Sequence, residues 1–196
     1  MGRASEEGAW TADEFLEWVQ HQDEKWELVR GFPQLKFMAG GKRRHHEAAG
    51  NAYFALRQRL RPPCRAYTSD MAVRTTEDQV RFPDTVVDSG NHDPEAREAS
   101  EPVLIVEVLS SSTRMFDLTE KLDEYRGIPS VIYVLFIDAG VCGIALHQRE
   151  EDGAWRESFF ENLDSVVELP RLSVELSLQE LYENVPLPPQ LTIVRK

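Results

Sequence analysis

Glu107 occupies a position in this sequence that demands a chemical explanation. It interrupts an apolar run, residues 103–109, that has the composition of a buried central strand. Burying an ionised carboxylate without a partner costs several kcal/mol, so a buried Glu107 requires a cation, either a basic side chain or a metal ion. The alternative interpretation is an exposed position at a strand edge with an ordinary salt bridge.

A second carboxylate, Asp84, lies where the chain is expected to bend into a strand. Pro83 cannot donate to a sheet ladder, and residues 85–87 are strand-like. Taken alone, Asp84 is also consistent with an ordinary turn residue. Two acids on neighbouring strands can, however, converge on one hard cation. Oxygen ligands without histidine or cysteine suit Mg²⁺ or Mn²⁺ rather than zinc.

Lys121 adds a cation to the two acids. It lies one helical turn after Asp117, on the helix predicted to follow Glu107. If that helix packs back on the sheet, the Lys121 ammonium reaches the same pocket. Two acids and a lysine around a divalent metal ion can hydrolyse a phosphodiester bond. The metal lowers the pKa of a water and offsets charge in the transition state, while the lysine orients the nucleophile.

The elements that must position these residues follow from capping motifs and hydrophobic spacing. Their order predicts a mixed α/β domain over residues 11–185, between a flexible N-terminus (1–10) and a loose tail (186–196). Helices are predicted over 11–20, 44–60 and 117–127, with a short last helix from Ser177, and strands over 26–30, 32–38, 66–69, 71–74, 80–87, 103–109 and 131–137.

The charge of the chain is distributed unevenly. The net charge is −12, which argues against bulk nucleic-acid binding, yet seven basic residues and one acid lie between Lys42 and Arg65. This segment is either a solvated helix face with a basic turn or a patch that faces phosphates. In the second case the predicted nucleic-acid contacts are Lys42, Arg43, Arg44, Arg57 and Arg61.

Composition and motifs exclude several other classes of protein. The 196 residues are 41% hydrophobic and 29% charged, as in one globular domain, and the longest apolar run, Val131–Ile137, is too short to span a bilayer. The sequence contains two cysteines, no secretory pattern and no phosphate-binding glycine loop, so we expect a cytoplasmic protein. The VVDSG segment at 86–90 offers one aspartate where an aspartic protease needs two.

Several motifs together resemble the PD-(D/E)XK nuclease superfamily and, more closely, the bacterial Uma-type restriction-endonuclease family. The resemblance extends from about Thr11 to Tyr182 and implies a restriction-endonuclease-like mixed β-sheet flanked by helices. It is carried by WELVRG at 26–31, FMAGG at 37–41, His46 before an apolar helix, PDTVV at 83–87, LIVEVLSSST at 104–113, Asp117, Lys121, Tyr125 and IPSVIYVLFID at 128–138.

The resemblance implies a role for each matching residue. Asp84 and Glu107, together with the Val108 carbonyl, are implied to bind Mg²⁺ or Mn²⁺. The superfamily's strand motif has a lysine where this sequence has Leu109, and the family relocates that lysine to the next helix, which here is Lys121.

Two further matches are open to an ordinary interpretation. Glu27 matches a family acid that serves as an additional ligand or base, or it is a solvent-facing hairpin residue. His46 contacts phosphate or assists the water, or it is an ordinary residue at a helix N-terminus. The sequence departs from the family pattern at SSST (110–113) and after Tyr133, positions that affect packing more than metal ligation.

The expected function is that of a metal-dependent endonuclease, with DNA as the expected nucleic acid. A homodimer is the simplest way to cut both strands, and a separate specificity subunit is compatible with the acidic composition. The alternative is a catalytically silent nuclease-fold module that binds nucleic acid or a partner protein.

Overall fold

The computed structural model of the chain describes residues 8–36, 42–109 and 117–188, without the side chains of Asp117 and Leu118. Its helices are α1 (Ala12–Val19), α2 (Arg43–Arg59), α3 (Leu122–Gly127) and α4 (Leu178–Leu181), and the π-helical turn Asp117–Lys121 leads into α3. The strands are β1 (Trp26–Val29), β2 (Phe32–Leu35), β3 (Arg65–Thr68), β4 (Val73–Thr76), β5 (Gln79–Arg81), β6 (Thr85–Asp88), β7 (Pro102–Leu109), β8 (Tyr133–Asp138), β9 (Ile144–Arg149), β10 (Trp155–Phe160), β11 (Val166–Leu169) and β12 (Val174–Ser177).

Local sequence signals begin and connect the first elements. Thr11 and Glu14 form the predicted capping box of α1, since the Glu14 amide donates to the Thr11 hydroxyl at 3.3 Å and the Thr11 amide to the Glu14 carboxylate at 2.9 Å. Arg30 and Gly31, both with positive φ, form the two-residue turn between β1 and β2. This hairpin places Glu27 and Lys36 on adjacent chain segments.

Two sheets and a ribbon contain the strands. A four-stranded antiparallel sheet has the order β2-β1-β5-β4, and a six-stranded sheet has the order β10-β9-β8-β7-β6-β3. In the six-stranded sheet β7 and β8 are parallel and the other pairs are antiparallel. Strands β11 and β12 form the separate ribbon.

The interpretation of residues 80–87 as one strand-like run was wrong. Val80 and Arg81 belong to β5 in the smaller sheet, whereas Thr85 begins β6 in the larger sheet. The break falls around Pro83, which lacks the amide that a continuing ladder requires. The bend predicted at Pro83 is therefore the point where the chain passes from one sheet to the other.

Other boundaries differ modestly from the predicted ones. Strand β4 begins at Val73 rather than at 71, and β8 begins at Tyr133 rather than at 131. Strand β2 ends at Leu35, while residues 37 and 38 of the predicted strand lie outside the described residues. The predicted capping role of Asp117 also lies outside what the structure describes. A π-helical turn, rather than an α-helical one, begins the helical segment there.

Alternate residues of β7 pack on opposite faces of the large sheet. Val106 and Val108 join a core with α2, including Ala52 and Leu56. Ile105 and Leu109 join a second core with α3 on the other face. Glu107, which lies between Val106 and Val108, consequently points to the same face as Ile105. Within the described residues no helix is both long and apolar enough to cross a membrane.

Candidate active site

Asp84 and Glu107 lie opposite each other on neighbouring strands. Thr85 pairs with Val106 in the antiparallel register of β6 and β7, so the preceding residue, Asp84, lies opposite Glu107. The Val108 amide donates a 2.7 Å hydrogen bond to Asp84 Oδ2, which fixes the carboxylate beside the strand. Both acids are buried, with 8% of Asp84 and 4% of Glu107 exposed. The two acids therefore lie on neighbouring strands, as expected from the sequence.

Glu107 is paired on the α3 face of the sheet. Lys121 Nζ lies 3.0 Å from Glu107 Oε1, and the Tyr125 hydroxyl donates to the same oxygen at 2.6 Å. Tyr125 is fully buried, and both burial and the Glu107 carboxylate raise the pKa of its hydroxyl well above the usual value. The interpretation of Glu107 as an exposed edge residue is therefore wrong. The requirement for a cation is met by Lys121.

A histidine that the sequence analysis did not select contacts Asp84. His45 Nε2 lies 3.2 Å from Asp84 Oδ1, and His45 is buried. Burial lowers the pKa of His45, but the hydrogen bond to Asp84 and its charge outweigh burial and raise it. Burial likewise raises the pKa of Asp84, yet His45 and the Lys36 charge bring the net shift below the usual value. The predicted residue, His46, is exposed, with its ring centroid 5.7 Å from that of His45.

Glu27 is a buried carboxylate surrounded by three cations. Arg81 donates to its Oε2 at 2.9 Å, while Lys36 and Lys121 lie 3.5 and 3.8 Å from its Oε1. Burial alone would raise the pKa of Glu27, but the charges of Lys121, Lys36 and Arg81 lower it to about 2. Only 7% of Glu27 is exposed, so its interpretation as a solvent-facing hairpin acid is wrong.

Arg81 connects the smaller sheet to α3 through this cluster. Its guanidinium binds Glu27 of β1 and, with two hydrogen bonds of 2.7 and 2.6 Å, Glu124 of α3. Arg81 is 1% exposed, so these carboxylates replace the water that its charge has lost. Since Glu124 and Lys121 lie one turn apart, the Arg81 pairs also hold the position of Lys121.

A pocket of about 300 Å³ opens beside Asp84. Its wall includes His45 and Tyr53 of α2 and Lys36, which follows β2. Lys36 Nζ also donates a hydrogen bond to the Phe82 carbonyl. The pocket is therefore lined by one carboxylate and several groups that donate hydrogen bonds, a composition suited to an anionic ligand.

The residues of the predicted basic patch lie near the two opposite ends of α2. Lys42 and Arg43 are exposed at the N-terminal end of α2, next to His45, and Arg44 is half-buried there. Arg57 lies about 21 Å further along the helix axis, since each residue adds about 1.5 Å. Arg57 and Arg61 are exposed. Only the first group lies close to the pocket.

The donor set fits a hard divalent cation that keeps part of its hydration shell. Among the described residues no three histidine, cysteine, aspartate or glutamate side chains converge into a complete metal cage. Asp84, Glu107 and the Val108 carbonyl, the ligands implied by the sequence, would supply oxygen atoms only. Mg²⁺ is typically bound through one or two carboxylates, with waters and substrate phosphates completing its shell.

Sequence reasoning missed four members of this cluster or their roles: Lys36, His45, Arg81 and Glu124. A lysine inside a predicted strand and an arginine beside Val80 were weak signals of buried charge. Nothing in the linear sequence distinguishes His45 from His46. The helical phase of α2, which turns His45 toward Asp84, is a tertiary property.

A family model described as "Uma2: Putative restriction endonuclease" matches residues 12–181. Because this match covers most of the chain, the protein belongs to the Uma2 family. The family expected from the sequence motifs is confirmed.

Two relatives match the chain over most of its length. The uncharacterized protein slr1290 of Synechocystis sp. is 26% identical over 179 residues, which cover 88% of this chain and 91% of that protein. The uncharacterized protein sll1609 of the same organism is 29% identical over 152 residues, or 74% of this chain and 84% of that protein.

The structural comparison concerns the fold. The crystal structure of a putative nuclease belonging to DUF820 from Anabaena variabilis has a TM-score of 0.68 and 20% identity, and the match covers 88% of this chain and 97% of that chain. The predicted mixed sheet flanked by helices is confirmed.

Proposed function

We propose that this protein is a Mg²⁺- or Mn²⁺-dependent endonuclease that hydrolyses phosphodiester bonds, with DNA as its substrate. The observation that carries the proposal is the placement of Asp84 opposite Glu107, with the Val108 amide bound to Asp84 at 2.7 Å. Membership of a family described as restriction endonucleases supports a nuclease function.

Asp84, Glu107 and the Val108 carbonyl are the groups that would hold the metal ion. When bound, such an ion lowers the pKa of water and neutralises charge that develops on the phosphoryl oxygens. Neighbouring groups favour the ionised form of Asp84. His45 and Lys36 lower the pKa of Asp84, and Lys121 balances the charge of Glu107.

Lys121 is proposed to position the attacking water. Its Nζ is fixed between Glu107 and Glu27, at 3.0 and 3.8 Å. Glu27 itself is a poor candidate for the general base, because a carboxylate with a pKa of about 2 accepts a proton weakly near neutral pH. Its proposed role is to hold Lys121 and Lys36 in place.

The basic residues at the N-terminal end of α2 are proposed to contact the nucleic-acid backbone. Lys42, Arg43 and Arg44 lie just before His45 and so approach phosphates near the cleavage position. Arg57 and Arg61 would contact phosphates further along the strand. His46, exposed at the wall of the pocket, would contact a phosphate oxygen. We further propose a homodimer, which would cut both DNA strands, and a separate subunit for sequence specificity.

Calorimetry and plasmid cleavage test this function together. We would titrate Mg²⁺ and Mn²⁺ into the wild-type protein, Asp84→Asn and the control Asp123→Asn, whose exposed side chain lies on α3. The same proteins would be incubated with supercoiled plasmid. Metal binding and nicking that Asp84→Asn removes and Asp123→Asn retains support the proposal. Folded wild-type protein that binds no metal at millimolar concentration would contradict it.

A catalytically silent module is the second candidate, and one observation favours it. Lys36, Lys121 and Arg81 pair with Glu27 and Glu107, so side chains of the chain itself balance the charge of these acids. A silent module would bind nucleic acid in a salt-dependent manner, with the same affinity in EDTA and in Mg²⁺, and would not nick plasmid. A partner-binding module would bind neither metal nor nucleic acid.

A further inference from the structure

An apolar cavity of about 240 Å³ adjoins the pocket that contains Asp84. Leu16 and Val19 of α1, with Trp26 and Phe82, supply its apolar wall. Charged side chains, Glu24, Asp70 and Arg97, also line the cavity. Lys25 and Ser69 line both spaces, and the Lys25 ammonium donates to the Ser69 hydroxyl at 3.1 Å. The two spaces therefore share part of their lining.

Two chain segments contribute both to the lining of the apolar cavity and to the charged cluster around Glu27 and Lys36. Phe82 lines the cavity, while its carbonyl accepts the hydrogen bond of Lys36. Trp26 lines the cavity, while the next residue of β1, Glu27, pairs with Lys36. Consecutive residues of a strand point in opposite directions, so β1 presents an aromatic ring on one side and the carboxylate on the other.

Lys36 is suited to bind an anion in the shared region. It lines the pocket beside Asp84, and its side chain is 9% exposed. Its described partners are a neutral carbonyl and Glu27, which is also held by Arg81 at 2.9 Å. A ligand with an anionic group at one end and a flat apolar group at the other would occupy both spaces.

We propose that the two spaces form one nucleotide subsite, in which Lys36 binds a phosphate of the substrate strand and the apolar cavity holds the base of that nucleotide outside the base stack. This inference rests on the proposed nuclease function and names its substrate form: a strand with an unpaired or extruded base. Aromatic side chains such as Trp26 provide a sequence-tolerant surface for a base, and enzymes that extrude bases hold them in such pockets.

Binding in EDTA separates this inference from catalysis. Fluorescence anisotropy would compare a short labelled single-stranded DNA with a strand of equal length built from abasic tetrahydrofuran units. Wild-type protein should bind the intact strand about tenfold more tightly, the contribution expected for one stacked base. Lys36→Met should weaken binding of both strands, because both retain the phosphate.

A cavity-filling variant supplies a second measurement. Val19→Phe places a larger side chain in the apolar wall and should remove most of the preference for the intact strand, without changing binding of the abasic strand. Val166→Phe, at an exposed position of β11, is the matched control and should leave both affinities unchanged. Circular dichroism would establish that both variants are folded.

The outcomes distinguish the subsite from the nuclease function itself. Equal binding of intact and abasic strands by wild-type protein, with metal-dependent nicking retained, would overturn the base subsite alone. Failure to bind either strand, with no nicking in Mg²⁺ or Mn²⁺, would overturn both proposals. The comparison of strands on wild-type protein decides the matter even if Val19→Phe fails to fold.

Discussion

The Val108 amide donates a 2.7 Å hydrogen bond to the carboxylate of Asp84, and this bond places one acid of the site beside the strand that bears the other. Asp84 comes at the end of the chain's passage from the smaller sheet to the larger one, whereas Glu107 lies within the larger sheet. The position of the pair thus depends on how the two sheets meet. Ion pairs join Arg81 and Glu27 of the smaller sheet to Glu124 and Lys121, in the helical segment that packs on the larger sheet.

Lys121→Ala is expected to abolish nicking while the protein remains folded. The substitution removes the ammonium 3.0 Å from Glu107 but leaves the Tyr125 hydrogen bond to the same carboxylate. Stability should fall, since a buried acid loses its counter-charge, and Glu107→Gln in the Lys121→Ala background should recover part of the loss. Nicking assays and urea denaturation measure the two effects. Full activity of Lys121→Ala would remove the proposed role.

Arg81→Met is expected to destabilise the protein strongly. It leaves Glu27 and Glu124 without their common partner, and breaking a buried ion pair in this way costs about 3–5 kcal/mol. Arg97→Met is the matched control, because Arg97 pairs with Glu17 at the surface and should contribute less than about 1 kcal/mol. Urea denaturation measures both. Equal losses in the two variants would contradict a structural role for the buried network.

Stability should decline in acid partly because of Glu27. Its pKa is about 2 in the folded protein and near 4.5 when unperturbed, so the folded state favours the ionised form. The resulting stabilisation, about 3 kcal/mol at most, is complete above pH 4.5 and is lost as the pH falls toward 2. The free energy of unfolding of Glu27→Gln should therefore depend less steeply on pH in this interval. The exposed control Glu151→Gln should follow the wild-type curve.

His45→Asn should reduce nicking more than His46→Asn. His45 holds the Asp84 carboxylate from α2, and residues that orient a metal ligand typically contribute about 10- to 100-fold to metal affinity or activity. His46 is exposed and contacts the pocket from its wall. Parallel measurement of Mg²⁺ affinity and nicking rate compares the two. A larger effect of His46→Asn than of His45→Asn on both quantities would contradict the orienting role proposed for His45.

Part of the candidate site was predictable from residue types. An acid inside the apolar run 103–109 implied a counter-charge, and Pro83 implied a bend before the second acid. Capping and periodicity were sufficient to place α1 and α2 within a residue or two, because these signals are local. The family motifs were also recognisable, because each is a contiguous run of residues in the sequence.

Tertiary structure decided which charges meet. Lys36, Arg81 and Glu27 come from three separate segments, and they become neighbours only because β1 pairs with both β2 and β5. The rotation of α2 about its axis determines that His45, rather than His46, contacts Asp84. Residues 80–87 are divided because the first part pairs with strands of the smaller sheet and the second part with strands of the larger sheet. The sequence by itself indicated Asp84, Glu107 and Lys121 as candidates and the strand that carries Glu107. Long-range pairing determined the geometry of the site, because the energy of a buried charge depends on neighbours that are distant along the chain.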